Sequence, residues 1–119
     1  MLASFNEEAQ YILLKSKTEM LNLNHPYIGS EHLVLSILKV ENKLTEKLSE
    51  YGLTYDTFKT EILNIIGKGT KKTTFFLYTP LLKKIIENSM LDAKDNNNGI
   101  VTPEHLFSAL LEEGEGIAI

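Results

Sequence analysis

The chain repeats itself. Glu31, His32 and Leu33 recur 73 positions later as Glu104, His105 and Leu106. At the same spacing Leu111 answers Leu38, Val101 answers Ile28, Tyr78 answers Phe5, Ile85 answers Ile12 and Ser89 answers Ser16. Identity between the halves is otherwise low. The matches gather at one helix start, Ile-Gly-Ser-Glu-His-Leu from residue 28 and Val-Thr-Pro-Glu-His-Leu from residue 101. Each copy follows a long helical stretch and a polar turn. A unit of this size cannot bury its apolar face alone, so neighbouring copies share one core. The repeat therefore predicts an all-α fold, a pseudo-twofold bundle of two helical units.

Local signals divide each unit. Phe5, Ala9, Ile12, Leu13, Met20 and Leu23 fall close to a helical stripe, with Asn6 as N-cap and Glu7 and Glu8 in the first turn. Pro26 ends that helix, because the residue before a proline is pushed out of the α region. A second helix is expected from about Ser30 to Val40, with Leu33, Ile37 and Leu38 inward. Asn42 caps a third through Glu50, stopped at Gly52. Thr54 caps a fourth, with Phe58, Ile62, Ile65 and Ile66 on one side and Gly67 at its end. Thr79-Pro80 starts the next helix, a cap followed by proline at the first helical position, running to about Asp95. An asparagine-rich turn to Gly99 leads to a last helix from Thr102-Pro103, with Leu106, Phe107, Leu110 and Leu111 apolar and Leu106, Leu110 and Leu111 expected in the core. Repeat one is thus 1–69, a linker covers 67–77, and repeat two fills 78–119 and is incomplete by the measure of the first.

Composition narrows the function. The chain has 119 residues, 43% of them hydrophobic and 24% charged, the balance of a globular domain. It has no cysteine, which removes disulfides, thiolate zinc sites and thiol nucleophiles. Net charge is −4, and every one of the 12 basic residues is lysine. Nucleic-acid binding is therefore not expected, since it favours a basic surplus and arginine forks. No apolar run approaches the roughly 18 residues of a membrane span, so no membrane association is expected and the chain reads as cytoplasmic.

Together, the opening Phe5-x-x-x-Ala9, the two Glu-His-Leu helix starts, the joint Ile66-Gly67-Lys68-Gly69 and the restart Tyr78-Thr79-Pro80 resemble the amino-terminal double-repeat domain of the Clp (Hsp100) unfoldases. The joint and restart look most like the ClpC branch. The resemblance covers essentially the whole chain. It implies a non-catalytic domain set ahead of AAA+ ATPase rings, which docks client proteins and MecA-like adaptors for a protein-degradation machine. No cofactor is expected here, ATP belonging to the rings. The sequence agrees in lacking a phosphate loop; Gly67-Lys68-Gly69-Thr70 has the wrong spacing.

In ClpC-type domains the repeated glutamate is implicated in binding phosphoarginine on client proteins. By position the resemblance assigns that ligand-binding role to Glu31 and Glu104, with Thr79 and Asn6 at the starts of the preceding helices. A carboxylate can accept paired hydrogen bonds from a guanidinium, and a capped helix start presents N–H groups to a phosphoryl. Each repeat is expected to supply both poles. Asn6 stands where the family often has threonine, and Pro103 where it has a small hydroxyl residue.

Other readings stand beside this one. Glutamate in a first helical turn is favoured by the dipole alone. Thr79 serves as a plain N-cap whether or not it meets a ligand. A disaggregase-type Hsp100 domain, or a stand-alone interaction module without phosphoarginine recognition, would carry the same fold. His32 and His105 could form acid–base pairs with the glutamates, yet no nucleophile or oxyanion hole accompanies them, and they fit better as loop-fixing groups. His25 matches Asn98, and the three histidines show no metal spacing. A calcium loop fails too: with Gly99 at position 6, Lys94 falls at position 1 and His105 at position 12. Tyr27, Phe75 and Phe76 are candidates for an exposed apolar groove.

Overall fold

Side-chain caps set most of the helix starts in the computed structural model of the protein, which describes residues 4–72 and 76–113. Six helices form: α1 Glu7–Asn22, α2 Ser30–Lys39, α3 Lys43–Glu50, α4 Tyr55–Ile65, α5 Pro80–Asn96 and α6 Pro103–Glu113. Asn6 Oδ1 accepts the Ala9 N–H at 2.8 Å, Asn42 Oδ1 the Thr45 N–H at 2.9 Å, and Thr79 Oγ1 the Leu82 N–H at 3.1 Å. Each cap satisfies one orphan donor of its helix. Gly52 and Gly67, with φ of 82° and 70°, make the turns that close α3 and α4.

The repeats pack as the period predicts. α1 lies against α2 and α5 against α6. Their inward faces meet in one core built on Ile12, Leu33, Ile37, Leu82, Ile85 and Leu106. Two buried serines repeat with the frame: Ser16 donates to the Leu13 carbonyl and Ser89 to the Ile86 carbonyl, both at 2.6 Å. Each hydroxyl is thereby satisfied within its own helix, and a polar group stays in the core without a cross-helix partner.

Two short strands, too brief for any sequence pattern, clasp the repeats. β1 (Ser4–Phe5) runs parallel to β2 (Ile100–Val101), pairing Phe5 with Val101. A parallel bridge joins Ile28 to Tyr78. These are one contact made twice, because Phe5 matches Tyr78 and Ile28 matches Val101 in the repeat. The hydrogen bonds repeat as well: Asn6 N–H donates to the Val101 carbonyl and Thr79 N–H to the Ile28 carbonyl, both at 2.9 Å. The segment before each repeat's first helix is thus bound to the segment before the other repeat's second helix.

The linker is strapped onto repeat one. Gly69 N–H donates to the Leu23 carbonyl at 2.8 Å, and Ile28 N–H to the Leu77 carbonyl at 2.9 Å. Gly69 passes so close that a Cβ would overlap the Asn24 carbonyl oxygen. Phe75 lies outside the described residues. Phe76 is half-exposed beneath Lys17, whose Nζ sits 3.8 Å from the ring centroid.

Two expectations about packing need correcting. Ile62 of α4 is buried, but Ile65 and Ile66 are 60% and 41% exposed. α4 rests on α2 through its middle, and its last turn projects beyond the supporting surface. Leu111 is 56% exposed, although its copy Leu38 is 5% exposed. In repeat one α3 packs on α2, while no described element gives α6 a matching cover.

Candidate functional site

The crossed strand contacts decide which helix starts become neighbours. Pairing of Phe5 with Val101 brings the start of α1 beside the start of α6, so Asn6 and Glu104 share one cleft. That cleft has a volume of about 440 Å³ and is also lined by Glu8, Glu41, Lys43 and Thr102. The bridge between Ile28 and Tyr78 brings the start of α5 beside the start of α2, which carry Thr79 and Glu31. A single repeat was expected to supply both poles of a site. The structure instead sets each candidate pair across the two repeats, one helix start from each, because the strand contacts cross between units.

Within this shared plan the two glutamates differ. Glu31 folds back over the helix start, its carboxylate so close to Gly29 that a Cβ there would overlap it. Its side chain is only 15% exposed, with Oε1 3.5 Å from His32 Nδ1. Glu104 is exposed. The helices they face differ too: Glu7 and Glu8 occupy the first turn of α1, whereas the first turn of α5 holds no acidic residue. In each pair one helix begins with proline, Pro80 or Pro103, and has one backbone donor fewer.

The repeated histidines close the helix starts. His32 Nδ1 accepts the Gly29 N–H at 2.8 Å, and His105 Nδ1 accepts the Thr102 N–H at 3.0 Å. This is the half of a capping box that a third-position side chain supplies. In repeat one the contact extends further. With Nδ1 accepting, His32 carries its proton on Nε2, which lies 2.7 Å from His25 Nδ1. His25 then donates from Nε2 to the Gly67 carbonyl at 2.8 Å. The relay runs from the α2 start to the linker and is buried, His32 completely. Burial, and then the neighbouring His25, lowers the His32 pKa to about 3. In repeat two the place of His25 is taken by Asn98, and His105 Nε2 looks toward Asp92 at 4.0 Å.

The histidines are therefore less dispersed than the sequence suggested. His25, Glu31 and His32 offer ligand atoms within 4.8 Å of one another. All four ring nitrogens already have hydrogen-bond partners, an arrangement of neutral imidazoles that binding a metal would have to break. The seven-residue gap across the Pro26 turn hid this pairing from sequence reasoning.

Residues 4–119 match the model of the Clp repeat N-terminal domain. The chain belongs to that family. It is 35% identical over 119 residues to the Bacillus subtilis protein named negative regulator of genetic competence ClpC/MecB. It is 36% identical over 113 residues to the ATP-binding subunit ClpC of the Clp protease of Staphylococcus epidermidis. These alignments cover 99% and 94% of this chain but 15% and 14% of the relatives, so the chain corresponds to about one-seventh of their length. Solved structures share the fold: the N-domain of ClpV from Vibrio cholerae has a TM-score of 0.75 at 19% identity, over 92% of this chain and 68% of that one. The N-terminal domain of ClpD from Arabidopsis thaliana has a TM-score of 0.71 at 18% identity, over 89% of this chain and 74% of that one. Among the described residues no helix is long and apolar enough to cross a membrane.

Proposed function

We propose that this domain docks client and adaptor proteins for a ClpC-type ATP-driven unfoldase, and that its composite sites read phosphoarginine on marked clients. The relatives at 35–36% identity support the ClpC branch over a disaggregase. One observation carries the finer reading: the crossed strand contacts set each repeated glutamate beside a capped helix start of the other repeat. The glutamate accepts from the guanidinium, and the N–H groups of the opposing helix start receive the phosphoryl oxygens. Two sites on one domain favour doubly marked clients through effective concentration. ATP hydrolysis and translocation belong to the parent protein.

Calorimetric titration with phosphoarginine, with arginine as control, tests this. Saturation at two per chain, lost in Glu31→Ala/Glu104→Ala, is the expected result. Unchanged binding by that double variant refutes the site assignment. One per chain identifies a disabled site. No binding returns both glutamates to their dipole role and leaves adaptor docking. In the Asn6 cleft Glu8, Glu41 and Glu104 oppose an incoming phosphoryl group while Lys43 attracts it, so this site is expected to be the weaker of the two.

A further inference from the structure

We propose that a groove on repeat one, which shares only Glu41 with the cleft at the α1 start, docks an acidic peptide segment of a partner protein. The groove lies between α1, the end of α2 and the start of α4, with a volume of about 680 Å³. Tyr11, Lys15 and Glu19 of α1, Lys39 of α2, and Tyr55 and Lys59 of α4 form its walls. Three lysines from three helices converge there, and none forms an ion pair among the described residues. Aromatic faces hold them instead. Lys15 Nζ lies 5.4 Å from the Tyr11 ring centroid, and Lys39 and Lys59 Nζ lie 4.5 and 5.5 Å from that of Tyr55.

An ammonium resting on a ring keeps its charge and its outward N–H donors for a ligand. Glu19, the buried carboxylate of the groove, accepts the Tyr55 hydroxyl at 2.8 Å. That bond anchors the ring of Tyr55 on which both lysines rest. The other carboxylate, Glu41, stands exposed in the lining.

The fold alone does not produce this wall. At the matching positions of repeat two, Tyr11, Lys15 and Lys39 are replaced by Lys84, Asn88 and Glu112. Lys84 there is paired with Glu113 at 3.6 Å. A chain of net charge −4 has thus gathered unpaired cations on aromatic supports in one concave place. Charge complementarity selects an acidic segment, and the tyrosine faces suit an apolar side chain between its carboxylates. Nucleic acid is a poor match, since the chain has no arginine and so lacks the bidentate forks that hold phosphates and bases.

The test uses the isotope-labelled chain and an unlabelled peptide of glutamates flanking one phenylalanine, read by amide chemical shifts. Perturbations should centre on Lys15, Lys39, Tyr55 and Lys59, weaken as salt rises, and be absent with the twin peptide bearing lysines for glutamates. Lys39→Glu/Lys59→Glu should weaken binding at least tenfold, with Lys39→Gln/Lys59→Gln intermediate, while phosphoarginine titration of either variant stays unchanged. A melting curve confirms that each variant folds. Shifts centred elsewhere, equal binding of the lysine twin, stronger binding of oligothymidylate, or no binding at millimolar peptide each overturn the proposal.

Discussion

Leu38 and Leu111 hold the same place in the two repeats, yet one is buried and the other exposed. His32 and His105 make the same cap, yet only His32 continues into a relay. The comparison separates two kinds of residue. Those that recur, the caps, the core serines and the residues of the crossed contacts, build a frame common to both halves. Those that do not recur decide how the frame is covered and charged. α3 and α4 exist as described elements only in repeat one; there both pack on α2, and α4 supplies Tyr55 and Lys59 to the lysine groove. Function that depends on the frame should appear twice, and function that depends on the cover once.

The largest expected effect breaks the cover. Leu38→Ala should cost about 2–5 kcal/mol in urea unfolding, the range for a buried leucine. Leu111→Ala should stay within about 0.5 kcal/mol, as surface changes do. Equal losses would mean that α6 has a cover unlike that of the described residues.

Acidification should act next, and through repeat one. The folded pKa of His32 is lowered from 6.5 to about 3, so between those values the unfolded chain binds a proton that the native chain refuses. Stability from this group is complete above about pH 6.5 and falls toward pH 3, by up to about 1.4 kcal/mol per pH unit. Melting curves from pH 7 to 4 should show this slope, and His32→Phe should remove it while His105→Phe does not. At neutral pH, His25→Asn, which installs the residue of the second copy, should cost about 1–3 kcal/mol by stranding the Gly67 carbonyl and the His32 N–H.

Ligand binding should divide the repeats less sharply. Glu31→Ala is expected to weaken phosphoarginine about 10- to 150-fold, as loss of charge-assisted hydrogen bonds does. Glu104→Ala should weaken it less, because acidic neighbours already penalise that cleft; single-site calorimetry distinguishes the two. Smallest is the difference between caps. Asn6→Ala and Thr79→Ala should each cost about 1 kcal/mol in thermal unfolding and agree within a few tenths, since the same bond is lost.

Much of the frame was legible. Asn6, Asn42, Thr54 and Thr79 announced helix starts because caps act locally, and Gly52 and Gly67 announced ends for the same reason. The repeat announced the pseudo-twofold core. Contacts between distant segments were not legible. Two-residue strands have no alternation to read, so nothing in Phe5 or Tyr78 named its partner. The candidate site was therefore half visible: the repeated residues stood out, while the pairing of helix starts from opposite repeats did not. The same limit hid the pairing of His25 with His32, and it left Ile65 and Ile66 looking like core when α4 outruns its support.

The crossed contacts have a consequence for how such a domain can arise and be taken apart. Separate fragments ending before and beginning after the linker would each own two of the four paired helix starts and neither complete candidate site. Mixing them would restore both sites in one step. By the same geometry, two copies of a single ancestral unit would clasp each other and form two identical sites. Joining those copies into one chain frees each half to diverge, as the lysine groove and the histidine relay have done on one side only.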